Sequence, residues 1–178
     1  MSSLIYIASN FPLEERPNPH ERMISVNEAI ALGVKDIPKH LLADGFDKDK
    51  PDVIMYADRE IKLNVFTKEI TDGNFDDDFC IFSAEGAEGL KTDKKYKMFL
   101  EWYRYTDGRA NEVIKYLRNH LENTDEIELW HIWLGNDKIS GTKVIEKSID
   151  ELSAEDIHFL DSYDSWEDNA DLCIRIKH

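Results

Sequence analysis

Glu101, Tyr103, Glu128 and Trp130 are the side chains in this 178-residue chain best spaced to meet on one surface. They sit in two apolar runs, 97–105 (KMFLEWYRY) and 126–134 (EIELWHIWL), each with the aromatic content of a strand. Residues two apart in a strand share a face. Met98, Leu100 and Trp102 therefore oppose Glu101, Tyr103 and Tyr105. In the second run Ile127, Leu129, His131 and Trp133 oppose Glu126, Glu128, Trp130, Ile132 and Leu134. If the two strands are neighbours or next-but-one, Glu101, Tyr103, Glu128 and Trp130 share a face. Two carboxylates held close repel, so one keeps its proton above the ordinary Glu range or the pair recruits a cation. Such a patch suits a binding site or acid–base chemistry. The plain alternative is a wet face with ordinary surface charges.

A second candidate lies near the end of the chain. Residues 150–171 hold nine Asp or Glu and no Lys or Arg. Within them Asp164, Trp166, Glu167 and Asp168 place an aromatic among acids, the composition of an interface hot spot. The segment reads either as a docking surface for a basic partner or as a solvated charge run.

Other chemistries fail on their spacing. Asp72-Gly73-Asn74-Phe75-Asp76 fits the first positions of a calcium loop. Asp77 then stands where glycine must turn the chain, and Ser83 where a bidentate Glu is needed, so an acidic hairpin turn is the better reading. The six histidines have no HxH, HxxxH or HExxH pair, so no metal site is expected. His131 reads as a core or near-surface histidine. Cys80 and Cys173 form no CxxC pair, and the acids before Cys80 make it a poor nucleophile. There is no GxSxG elbow, and Glu85-Gly86-Ala87-Glu88-Gly89 has too few glycines and two carboxylates that repel phosphate. No cofactor is expected.

Strands are expected at 4–8, 53–57, 61–66, 79–83, 97–105, 126–134 and 172–177. A short helix spans 27–32, stopped by Gly33, and residues 9–22 and 84–95 read as loops. Ala110, Val113, Ile114, Leu117 and Leu121 recur on one helical face, which predicts a helix over 108–122. Overlapping capping boxes, Ser148-x-x-Glu151 and Ser153-x-x-Asp156, predict another over about 149–160. Residues 97–134 form a βαβ unit, and the earlier strands pair antiparallel. The fold class is α+β: one globular domain, 1–178, with a mixed β-sheet.

The net charge of −15 opposes nucleic acid and anionic membrane surfaces, and no apolar run reaches the length of a membrane span. The start lacks a basic n-region, so a cytoplasmic setting is expected. Tyr6-Ile7-Ala8-Ser9-Asn10-Phe11-Pro12-Leu13 and Glu128-Leu129-Trp130-His131-Ile132-Trp133-Leu134-Gly135 resemble segments of a set of small uncharacterised bacterial proteins. That resemblance implies a bacterial, cytoplasmic protein and carries no residue role. Two functions stay open. One is a non-catalytic acidic binding or regulatory protein for a basic protein partner, immunity-like by analogy. The other is a small hydrolase or small-molecule binder with its carboxylate and aromatic site on the sheet.

Overall fold

A computed structural model describes residues 3–57, 62–63, 70–71, 75–86, 89–134 and 141–178, with the side chains of 62–63, 70–71 and 165–166 left aside. The chain divides into two compact units, Asn18–Gly73 and the remainder. The larger unit is built on a six-stranded sheet of β1 (Ser3–Ser9), β6 (Phe79–Ser83), β7 (Tyr96–Trp102), β8 (Glu126–Trp133), β9 (Thr142–Ser148) and β10 (Asp171–Lys177). Its order is β6-β7-β1-β8-β10-β9, and every neighbouring pair is antiparallel except β9 with β10. The sheet is mixed and the class is α+β.

The expected βαβ unit is formed by β7, α2 (Asp107–Leu121) and β8. β7 and β8 are both antiparallel to β1 and lie on either side of it, so they run parallel with one strand between. A second crossover, β9–α3–β10, joins adjacent parallel strands through α3 (Ala154–Asp161).

Helices form where caps and apolar spacing agree. Thr106 caps α2 by accepting from the Arg109 N–H, and the buried face of α2 includes Ala110, Val113, Ile114, Leu117 and Leu121. Of the two overlapping boxes, Ser153 with Asp156 is the one that starts α3, each side chain reaching the other's backbone N–H. Ser148 instead ends β9, and its carbonyl accepts from Glu151 and Leu152 in a turn. The helix is therefore shorter at its start than its expected span.

Both faces of the sheet are buried. The helix side holds Ile7, Met98, Leu100, Ile127, Leu129, Leu172, Ile174 and Ile176 against α2 and α3, with Trp102 packed at its margin. The opposite side holds Tyr6, Ala8, Trp130, Ile132 and Cys173, with Leu4, Leu90 and Phe99 packed around them. This second cluster is why β10, with its alternating sequence, is buried along most of its length rather than on one face. At the start of α2, Arg109 is fully buried and gathers the Phe75 and Arg104 carbonyls and the Asp78 carboxylate, 3.1 Å away.

The unit Asn18–Gly73 carries β2 (Glu21–Ile24) paired antiparallel with β3 (Ile54–Ala57), and α1 (Val26–Ala31). Ser25 caps α1, and Gly33 follows it at φ +76°, a conformation that side chains resist. Ile24, Val26, Ala29, Leu41 and Ile54 form its core. β4 (Lys62–Leu63) pairs with β5 (Ile70–Thr71). The rest of the expected 61–66 strand, the start of the acidic turn at 72–74, and the Gly135-Asn136-Asp137 stop lie outside the described residues. No helix among the described residues is long and apolar enough to cross a membrane.

Candidate functional site

Glu128 and Trp130 lie two residues apart on the face of β8 away from the helices, and both are buried, 3% and 4% exposed. The Trp130 indole donates to Glu128 Oε2 at 2.9 Å, and its ring stacks on Tyr6 of β1, centroids 5.7 Å apart. Thr92 donates its hydroxyl to the same oxygen at 2.6 Å, and Arg175 Nε stands 3.5 Å from Oε1. The carboxylate is thus held by three groups from three parts of the chain.

Glu101 shares this face but not this position. Leu4 pairs with Ile132 and Ile5 with Leu100, so Glu101, one residue past Leu100, lies level with Ile132. That is four residues along β8 from Glu128, or about 13 Å at strand rise, with β1 between the two strands. Tyr103 lies past the end of β7 and is exposed. The structure therefore brings Glu128 and Trp130 together and leaves Glu101 and Tyr103 apart from them.

The side chains completing the Glu128 site come from a segment read as a plain loop. Residues 89–95 cross this face, and beside the Thr92 bond Lys94 donates to Glu126 at 2.8 Å and Lys91 pairs with Asp171 at 2.6 Å. Burial alone would raise the Glu126 carboxyl. The hydrogen bond and charge of Lys94, with Arg175 and Lys177, outweigh it and hold Glu126 below the usual carboxylate range. Burial pushes the neighbouring Cys173 thiol up to about 12, and the Glu128 charge pushes the same way. Cys173 is an inert core thiol. A basic run, Lys91, Lys94, Lys95 and Lys97 in a chain of net charge −15, was the sequence signal for this segment.

No family model matches the chain, and no curated protein and no solved structure matches it.

Much of the acidic candidate is engaged by neighbouring side chains. Asp168 accepts from Lys143 at 2.7 Å and from the Tyr163 hydroxyl at 3.1 Å, which hold its carboxyl below the usual range. Asp150 pairs with Arg118, Asp156 with Lys147, Asp171 with Lys91, and Asp161 accepts from the Trp102 indole. Asp164 and Glu167 are exposed, and Trp166 falls within α4 (Ser165–Asp168), its side chain outside the described set. On α3, Glu155, His158 and Phe159 recur at helical spacing, with Ser162 at its C-terminal cap, and all four are exposed, Phe159 by 42%.

His131 lies on the helix side of β8, 1% exposed, edge-on to Trp133 and Tyr163. Its Nδ1 has no hydrogen-bond partner among the described residues. Burial lowers its pKa, against the opposing charges of Asp161, Asp171 and Asp164. Among the described residues no group of three or more His, Cys, Asp or Glu is placed to hold a metal ion. One recess of about 480 Å³ is lined by Asn10, Phe11, Asp125 and His178 among others, and one of about 230 Å³ includes Glu101. Neither includes Glu128.

Proposed function

We propose that this chain is a non-catalytic binding protein that takes a basic protein partner on the acidic face of α3 and α4. The observation that carries the reading is the exposed Phe159 within an acid-rich stretch of chain. Glu151, Glu155, Asp164 and Glu167 are all exposed in the same stretch of chain, which contains no Lys or Arg. Lys143 Nζ, paired to Asp168, stands 5.6 Å from the centre of the Phe159 ring. An apolar anchor beside exposed acids suits a complementary interface: the acids steer encounter and the aromatic supplies buried area. The catalytic alternative required convergent carboxylates at an open pocket. Glu128 is instead buried, with Oε2 accepting from Thr92 and Trp130 and Oε1 3.5 Å from Arg175 Nε, and Glu101 stands well away from it.

The test is capture from the native cell by the wild-type chain and by two variants, Glu151→Gln/Glu155→Gln/Glu167→Gln and Phe159→Ala. These positions leave the Asp156 and Asp168 pairs intact. A captured basic protein should associate about tenfold more slowly with the triple variant at low salt, and dissociate faster from Phe159→Ala. A partner that binds all three chains with equal kinetics would remove this face from the account.

A further inference from the structure

β6 and β7 are antiparallel neighbours, yet residues 84–95 separate them, where a hairpin needs about two to five. The second part of this connection folds back over the outer face of the sheet. The Lys91 N–H donates to the Tyr6 hydroxyl on β1, Thr92 and Lys94 reach Glu128 and Glu126 on β8, and Lys91 Nζ reaches Asp171 on β10. Lys95 N–H donates to Asn10 Oδ1. Residues 89–95 belong to no strand or helix and are exposed or half-buried, whereas Tyr6, Glu128, Trp130 and Asp171 beneath them are buried. Leu90 is the strap's residue in the apolar cluster there. The other attachments are polar, and the main ones are lysine or hydroxyl to carboxylate.

A segment built only to cover an apolar face would cover it with apolar side chains. This one meets a stacked Tyr6–Trp130 pair and three carboxylates with cations and a hydroxyl. Without the strap Glu128 would keep the Trp130 indole and Arg175, and Asp171 the Trp133 N–H at 3.4 Å. The strap's cations and hydroxyl therefore add to donors already present, and nothing in the chemistry requires their source to be residues 89–95. We infer that residues 89–95 are a displaceable strap: they occupy the Glu126–Glu128–Asp171 face as an internal ligand, and a lysine-bearing extended segment of a partner takes their place. Bonds of this kind, partly in water, exchange with competing cations and weaken with salt. The inference is independent of the α3 face.

The test uses the full chain, a Lys91→Gln/Lys94→Gln variant, and a fluorescein-labelled synthetic copy of residues 89–95. The variant should bind the peptide at least about tenfold more tightly than wild type, and salt should weaken that binding. Hydrogen exchange at the Trp130 indole should be about tenfold faster in the variant and slow again when peptide is added. Equal binding by both chains, no binding by either, or peptide affinity that survives Glu128→Gln in a variant that still melts cooperatively would overturn the strap. A second measurement needs no substitution. Raising salt from about 0.05 to about 1 M should speed Trp130 indole exchange in wild type, and an unchanged rate would overturn the strap equally.

Discussion

Arg109 and Asp78 are both completely buried, and their ion pair is joined by the Phe75 and Arg104 carbonyls. A charge left alone in such a place is far more costly than the pair was favourable. Asp78→Ala should therefore lower stability by about 3–5 kcal/mol, read by urea unfolding. A loss under about 1 kcal/mol would mean the two carbonyls alone suffice for the guanidinium. His131 tests the opposite case, a titratable group kept neutral. Its folded pKa is lowered by burial, despite Asp161, Asp171 and Asp164, so the unfolded chain binds the proton first. Stability should be unaffected by this group above about pH 6.5 and fall as the pH drops through that value. Carboxylates with lowered pKa, such as Asp156 and Glu126, lose their contribution only at more acid pH. In His131→Phe the slope of stability between about pH 7 and pH 5 should be shallower than in wild type. An unchanged slope would mean that the ring takes up its proton equally in both states.

At the scale of elements, what could be read from sequence was what depends on local pattern. The helix over 108–122 and the faces of β7 and β8 followed from period alone, and Met98, Leu100, Ile127 and Leu129 do pack under α2 and α3. β9 was missed because Thr142-Lys143-Val144-Ile145-Glu146-Lys147-Ser148 is an edge strand, mostly exposed, with no alternation to betray it. β2 was hidden by the prolines preceding it in a stretch read as a loop. The strap could not be foreseen, since what residues 89–95 cover depends on strand order. The offset of Glu101 from Glu128 is a matter of register, which side-chain alternation cannot supply. The competing capping boxes give an element-scale prediction. Ser153→Ala should cost about 1 kcal/mol, because it removes the acceptor at the start of α3. Ser148→Ala should stay within about 0.5 kcal/mol, since there the backbone carbonyl makes the turn. Equal losses, measured by thermal or urea unfolding, would mean that α3 begins at the earlier box.

For the whole molecule the governing quantity is charge. The chain has 37 acidic and 22 basic residues, and the structure spends many of the basic ones internally. Lys91 and Lys94 are held by the sheet face, Lys143 and Lys147 by Asp168 and Asp156, Arg118 by Asp150, and Arg109 lies in the core. The cations that could meet a phosphate backbone are thus fewer than the composition suggests, and the field a polyanion meets at a distance is repulsive. Tight binding to DNA rests on several lysines and arginines neutralising phosphates together, with affinity falling steeply as salt rises. This chain should therefore show no binding to a labelled duplex below about 1 µM at about 0.15 M salt, and lowering the salt should lengthen the range of repulsion rather than create affinity. The measurement is a fluorescence anisotropy titration at two salt concentrations. The strap variant Lys91→Gln/Lys94→Gln, with two fewer cations, should behave identically. Sub-micromolar binding that weakens with salt and is lost in that variant would mean that residues 89–95 leave the sheet to serve a phosphate, and that the basic run faces outward to a partner rather than inward to Glu126, Glu128 and Asp171.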